Sequence, residues 1–165
     1  MSSSLKAQSY SFGPFTIPPS TVFYETSLTF AFVNLRPIVP GHVLICPKRP
    51  SLLLKDLSSS EYSDLWATVR AVQAVVEESK GAGGSNVAVQ DGPEAGQSVE
   101  HVHVHVLPRV GGDFERNDDI YEEIEGWGPW KNTNQPKIQV PDDADRSERT
   151  LEIMGEEAES YRSKF

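Results

Sequence analysis

The run HVHVHVLPR at residues 101–109 limits what this chain can fold into more than any other stretch. Strict alternation is the pattern of a β-strand with one face in a core and the other turned toward something different. It puts Val102, Val104 and Val106 on the core face and gathers His101, His103 and His105 on the other. On an extended strand neighbouring histidines would stand about 6.6 Å apart and the outer pair about 13 Å apart. The chain has only four histidines in 165 residues, so three in one register ask for a chemical reason.

The surrounding sequence supplies partners for that strand. SLTFAFVNL places Phe30, Phe32 and Asn34 on one face and Ala31, Val33 and Leu35 on the other, and RPIVPG turns the chain into HVLICP, a hairpin. SNVAVQ, joined to the histidine strand through DGPEAGQS, adds an antiparallel neighbour. Before them, the prolines of FGPFTIPPSTVFYET favour an extended edge piece or a turn. Ser58 stands three residues before Glu61, as in a capping box, and Tyr62, Leu65, Trp66, Val69, Val72 and Val76 recur at helical spacing up to Gly81. Trp66 and the Val69-Val72-Val76 stripe supply more apolar surface than one small sheet is expected to cover, which points to a second copy of the chain. From about residue 113 to 142 the chain is polar and broken by Gly and Pro, and reads as a mobile loop. Trp127 and Trp130 within it read as packing residues ahead of ligand contacts. A last helix over about 146–165, opened by Asp145 and Glu148, carries Leu151, Met154, Ala158, Tyr161 and Phe165 at steps of three and four. The expected organisation is one α+β domain over 1–165 with a soft end at 1–9.

Charge and composition remove several classes of function. A net charge of −9 opposes encounter with polymeric nucleic acid or an anionic membrane, although a small anion in a local site stays possible. One cysteine, Cys46, excludes an internal disulfide framework, and no apolar run approaches the roughly 20 residues of a bilayer span. MSSSLKAQSY lacks the apolar core of a signal peptide, so the expected compartment is the cytosol, with the nucleus also open.

Three readings of the histidine row compete. As plain polar residues of a half-exposed strand they would be replaceable by Thr, Lys or Glu, which leaves their register unexplained. As zinc ligands at about 2.0–2.1 Å, two neighbours could chelate, but the outer pair is too far apart to join them without a sharp bend. His42 would have to cross from another strand, and Cys46 and Glu100 have no recognisable ligand spacing. As a phosphate site, the central imidazole is a nucleophile and its neighbours donate to nonbridging oxygens. An ordinary histidine pKa near 6.5 suits that work, and Gly96-Gln97-Ser98-Val99 can aim backbone N–H groups at the same phosphate.

His101-Val102-His103-Val104-His105-Val106-Leu107 resembles the His-x-His-x-His-x-x signature of the histidine-triad family of nucleotide hydrolases and transferases. QDGPEAGQSVEHVHVHVLPR, GGDFERNDDIYEEI and FAFVNLRPIVPGHVLICP are similar to its Fhit branch, the dinucleoside triphosphate hydrolases, over roughly residues 12–125. The resemblance implies a five-stranded antiparallel sheet with a long central helix and a C-terminal helix, and a homodimer paired through the long helix and a continued sheet. It implies hydrolysis of diadenosine triphosphate to AMP and ADP in two steps. His103 takes the nucleophile's place and carries the adenylyl group, His101 and His105 hold phosphate oxygens, and His42 supports the row. Gln90 and Gln97 match side chains that bind phosphate and the second nucleotide, Gly96, Ser98 and Val99 line the phosphates, and Asn34 binds ribose. Phe12, Phe15, Ile17 and Leu44 are the candidates for an apolar adenine slot. Mg²⁺ or Mn²⁺ is expected to arrive with the substrate, with no tightly bound metal.

The chain departs from animal members in GWGPWKNTNQPKIQVPDD, which is longer than their loop, while Tyr121 falls on a tyrosine they use in signalling. A related branch that hydrolyses nucleoside phosphoramidates follows the triad with a Gly-Gly-Arg-Gln-like tail, where this chain has Pro108-Arg109. Adenylyl sulfate hydrolysis, or nucleotide sensing without turnover, is compatible with the same residues.

Overall fold

A computed structural model describes residues 9–127 and 148–165. Its centre is a five-stranded antiparallel sheet built from β3 (Val22–Glu25), β4 (Thr29–Val33), β5 (Val43–Pro47), β6 (Gly84–Ala88) and β7 (Val104–Arg109), in the order β3-β4-β5-β7-β6. A smaller hairpin of β1 (Tyr10–Phe12) and β2 (Phe15–Ile17) precedes it, turning at Gly13. Three helices complete the described residues: α1 (Ser59–Lys80), α2 (Asp119–Gly126) and α3 (Leu151–Arg162).

Opposed residues in an antiparallel ladder share a face. The pairs Ala31↔Ile45, Val33↔Val43, Ile45↔Val104 and Val43↔Val106 therefore form one layer. Leu65, Val69, Val72 and Val76 of α1, with Met154, Ala158 and Tyr161 of α3, bury that layer in the largest core cluster. The pairs Phe30↔Cys46, Phe32↔Leu44 and Leu44↔His105 look the other way, toward the small hairpin and a second cluster.

α1 begins as its sequence requires: Ser58 Oγ accepts from Glu61 N–H, and Glu61 reaches back to Ser58 N–H. Gly81 closes the helix in the left-handed conformation that favours glycine. Arg49 binds Glu61 through two nitrogens, which fixes the helix start to the end of β5 and holds the Glu61 carboxyl down to about 2.

Four expectations are corrected. The histidine strand is regular only from Val104; His101 to His103 precede it in bent backbone, because His101 N–H bonds Val99 O and Val102 N–H leaves the ladder for Ser51 O. The segment expected to be a mobile loop over 113–142 contains a helix, since Ile120 and Ile124 bury against Leu107 and Val39; its part from 128 to 142 lies outside the described residues. The last helix runs from Leu151 to Arg162 with Thr150 as its cap, so Glu148 does not open it and Asp145 lies outside the described residues, while Leu151 and Phe165 are exposed. Of the group formed by Trp66 and the Val69-Val72-Val76 stripe, the three valines are covered by this chain's own core and only Trp66 stays half-buried.

Candidate active site

The functional groups come from three places: the end of the β4–β5 hairpin, the segment before β7, and the turn of the β1–β2 hairpin. All four histidines are buried to within 1% exposure, so each ring nitrogen needs an account.

His101 has both of its nitrogens engaged by backbone. Gly13 N–H donates to Nδ1 at 3.2 Å, which leaves the proton on Nε2 to bond Pro47 O at 2.8 Å. Its ring therefore locks the β1–β2 turn onto β5 and has no free edge for a phosphate oxygen. This corrects the expectation that His101 holds phosphate through its side chain. Its main chain does the local work, because His101 O accepts from His103 Nδ1–H at 2.7 Å.

That bond sets the tautomer of His103. With the proton held on Nδ1, Nε2 carries a lone pair and has no partner among the described residues. Burial drives the His103 pKa down to about 4, against an opposing push from the His101 carbonyl, so the ring is neutral near pH 7. Phe12 meets its ring edge-on with centroids 5.1 Å apart.

His105 has the opposite polarity. Ile38 N–H donates to His42 Nδ1 at 3.1 Å, so His42 gives its Nε2 proton to His105 Nδ1 at 3.0 Å. His105 must then carry its own proton on Nε2, a buried donor with no partner among the described residues. Burial, followed by the nearby His103 and His42, holds the His105 pKa well below the ordinary value. Asn34 Nδ2 lies 3.3 and 3.4 Å from the two nitrogens of His42, while its Oδ1 accepts from Arg36 N–H. Asn34 O in turn accepts from Arg149, which also binds Glu157 of α3.

The rings of His103 and His105 stand 5.1 Å apart, a lone pair on one and an N–H on the other. Such a pair can attack an electrophilic phosphorus and donate to one of its oxygens in the same step. Two more buried atoms, Gln90 Oε1 and Ser98 Oγ, also lack partners among the described residues. Gly96 stands at φ +82°, and a Cβ there would meet Gln90 Nε2 at 2.9 Å, so both the conformation and the space call for glycine.

The sequence candidates are distributed unevenly. Phe12 and Leu44 are buried together with Val99 in the second cluster, and Phe15 and Ile17 pack against it half-buried. Gln97 is tied up, its Oε1 accepting from Gly92 N–H and its Nε2 donating to Leu52 O, so its side chain holds the loop instead of projecting to a ligand. Among the described residues no group of three His, Cys, Asp or Glu side chains is placed to hold a metal ion.

Sequence reasoning missed two participants. Gly13 anchors His101, and a Cβ on it would strike Val99 Cγ1 at 2.6 Å; its signal was the Gly-Pro turn. Pro47 contributes only a carbonyl, which no sequence pattern marks. Trp127, read from the sequence as a packing residue, is buried beside the histidines, with ring centroids 4.7 Å from His105, 5.6 Å from His103 and 6.2 Å from His42. Ile120, Ile124 and Trp127 at steps of four and three were the legible sign of that helix. Trp130 lies outside the described residues.

Comparison with known proteins places this geometry. Residues 17–112 match the HIT domain family. The chain is 46% identical over 157 residues to an Arabidopsis thaliana protein named bifunctional bis(5'-adenosyl)-triphosphatase/adenylylsulfatase FHIT, covering 95% of this chain and 84% of that one. It is 44% identical to the Schizosaccharomyces pombe asymmetrical bis(5'-nucleosyl)-tetraphosphatase, covering 88% and 89% of the two chains. The crystal structure of the Caenorhabditis elegans NitFhit protein superposes with a TM-score of 0.76 at 35% identity, over 98% of this chain and 31% of that longer one.

Proposed function

Because the chain belongs to the histidine-triad (HIT) family, within its Fhit branch, we infer that it hydrolyses diadenosine triphosphate to AMP and ADP through an adenylyl group carried on His103. One observation carries the mechanism: a buried imidazole whose Nδ1 proton is fixed on a backbone carbonyl and whose Nε2 lone pair has no partner among the described residues. A neutral, desolvated nucleophile of this kind needs no deprotonation before it attacks.

In the first step His103 Nε2 bonds to the α-phosphorus and the P–O bond to ADP breaks. As the bond forms, the imidazole becomes positive and its Nδ1–H···O=C bond to His101 strengthens. His105 Nε2–H donates to a phosphate oxygen, and the chain Ile38 N–H, His42, His105 holds that proton on the correct side. ADP leaves as a weak base, so little general-acid help is required. Water then attacks the same phosphorus, the P–N bond breaks, and the pair returns to His103 Nε2 as AMP departs. Ser98 Oγ can donate to a phosphate oxygen, and Gln90 Oε1 can accept from the attacking water. Phe12, Phe15, Ile17 and Leu44 are the apolar residues assigned to adenine, and ribose is assigned to Asn34, whose buried amide lies beside His42. Mg²⁺ or Mn²⁺ comes bound to the substrate.

A panel of diadenosine tri- and tetraphosphate, adenylyl sulfate and adenosine phosphoramidate tests the reading, with AMP release read by chromatography. Rapid quench with substrate labelled in its α-phosphate should leave label on the His103 peptide. Label elsewhere, or none with turnover intact, rejects the covalent route. Adenylyl sulfate is the second substrate to expect, because the Arabidopsis relative carries both activities in its name and sulfate, like ADP, leaves as a weak base.

The open edge of β6, together with exposed Tyr62 and half-buried Trp66 on α1, supports a homodimer through a continued sheet and the long helix. Light scattering at micromolar concentration decides it. A cytosolic or nuclear location remains the expectation. Within the described residues no helix is long and apolar enough to cross a membrane.

A further inference from the structure

The nucleophilic nitrogen of His103 and the donor nitrogen of His105 are both buried, in rings no more than 1% exposed, so no substrate reaches them in this arrangement. Trp127 lies against both rings, edge-on to His105 at 88° and tilted 47° to His103. It belongs to the same packed cluster as Phe12, Phe32, Leu44 and Val99 and is itself only 6% exposed. The indole thus packs in one cluster with Phe12 and Leu44, two of the residues proposed for adenine, and lies against the ring proposed to attack. An indole and a purine are both flat, fused five- and six-membered rings of nearly the same outline.

We propose that Trp127 is an internal occupant of the nucleotide site, standing in for a nucleobase in the free protein and displaced when an adenine nucleotide enters. This rests on the nucleotide reading of the site. Its attachment suits a group that must leave. Among the described residues no hydrogen bond holds the indole N–H, and what retains it there is ring contact and apolar packing. The turn that carries it is held by Trp127 N–H on Ile124 O and by a long 3.4 Å bond from Gln90 Nε2 to the same carbonyl. Gln90 is one of the groups expected to bind phosphate. Withdrawal of Trp127 removes the Trp127 N–H from that shared carbonyl and unwinds the end of the turn on which Gln90 rests. α2 stays anchored meanwhile through Ile120, buried against Leu107 and Val39, while Arg109 forks onto Asp113 and bonds Asn86 in the segment and strand beside it.

An internal competitor lowers apparent affinity by the fraction of molecules it blocks. Trp127→Ala should therefore bind AMP roughly tenfold more tightly by calorimetry and lower KM for diadenosine triphosphate by a similar factor, with Trp127→Phe between it and the parent. Weaker AMP binding by Trp127→Ala would make Trp127 a ligand contact and overturn the proposal. A second measurement keeps Trp127 in place, so it does not depend on the variant's folding. In a Trp66→Phe, Trp130→Phe protein the emission of Trp127 should shift to the red, and acrylamide quenching should rise, when a nonhydrolysable diadenosine triphosphate analogue is added. Unchanged emission on saturation overturns it. A third needs no nucleotide: diethylpyrocarbonate should modify His103 slowly in the parent and on the order of tenfold faster in Trp127→Ala, as read by peptide mass. Equal rates overturn the proposal even if the site turns out to bind no nucleotide, while unequal rates without nucleotide binding sink only the nucleotide reading.

Discussion

Alternate residues of the same three strands build two unlike layers. On the α1 and α3 side, Ala31, Val33, Val43, Ile45, Val104 and Val106 are aliphatic and buried. On the other side, Phe30, Phe32, Leu44 and Cys46 share their face with His105, which pairs with Leu44, and buried polar atoms on His103, His105, Gln90 and Ser98 go without partners among the described residues. Each such atom costs about 1–3 kcal/mol, whereas each fully buried aliphatic side chain contributes about 1.5–3 kcal/mol. The helix-covered layer offsets the instability of the chemical one. Because the two layers are separated by one strand's thickness, substitutions at adjacent positions should produce unrelated defects.

The largest effect expected is on the chemical side: His103→Ala should reduce turnover by about 10⁴-fold or more, as loss of a covalent nucleophile does, while the protein stays folded and still binds AMP. Turnover within tenfold of the parent would remove His103 from the nucleophile's role. Ile45→Ala, one position along β5 from Leu44, should cost about 2–5 kcal/mol of stability in chemical denaturation and leave kcat within a few-fold below the unfolding transition. A kcat loss as large as its stability loss would show that the layers are not independent.

Acid should sharpen the contrast. His103 has a pKa of about 4 in the fold and about 6.5 when unfolded, so between those values the unfolded chain binds more protons. Its contribution to stability is complete above pH 6.5 and is lost as pH falls toward 4; His105 adds in the same direction. The thermal midpoint should fall over that window, and His103→Asn should flatten the fall. A midpoint that is level from pH 7 to 5 would mean the rings are solvated. The smallest effect lies where the layers meet, at the end of β4: Arg149→Met removes the donors to Asn34 O and should cost about 1–3 kcal/mol, with a few-fold rise in KM and little change in kcat. Arg149→Lys should restore part of both.

The helix-covered layer was legible in the sequence because its signals are local. Alternation, helical spacing and the Ser58–Glu61 capping box each lie within one element, and β4, β5, β7 and α1 follow from them. Much of the site was legible through its motif, which marked His101, His103 and His105 and, with the flanking runs, His42, Asn34 and Gln90. What stayed hidden depends on contacts between distant segments. Nothing near His101 announces that Gly13 and Pro47 will take its two nitrogens, and nothing in DGPEAGQS shows Gln97 turning back to clasp Gly92 and Leu52. α2 was missed for a different reason. Its apolar stripe is only Ile120, Ile124 and Trp127, set among acidic and Gly/Pro residues that read as loop until Val39 and Leu107 give the stripe something to cover.

The bond from Gly13 N–H to His101 joins positions 88 residues apart. Closing so wide a span is slow compared with making a hairpin or a helical turn. A nascent chain emerges with its first turn long before residue 101 has been synthesised, and its histidines are then ordinary, hydrated and easily protonated. His101 cannot present its carbonyl to His103 in the native way until the ribosome has released both ends of that span and they have docked. Catalytic competence is in that sense a late product of biosynthesis: an incomplete or misdocked chain holds the whole motif and none of the reactivity, so nucleotide in the cell meets a working nucleophile only on chains that have finished folding.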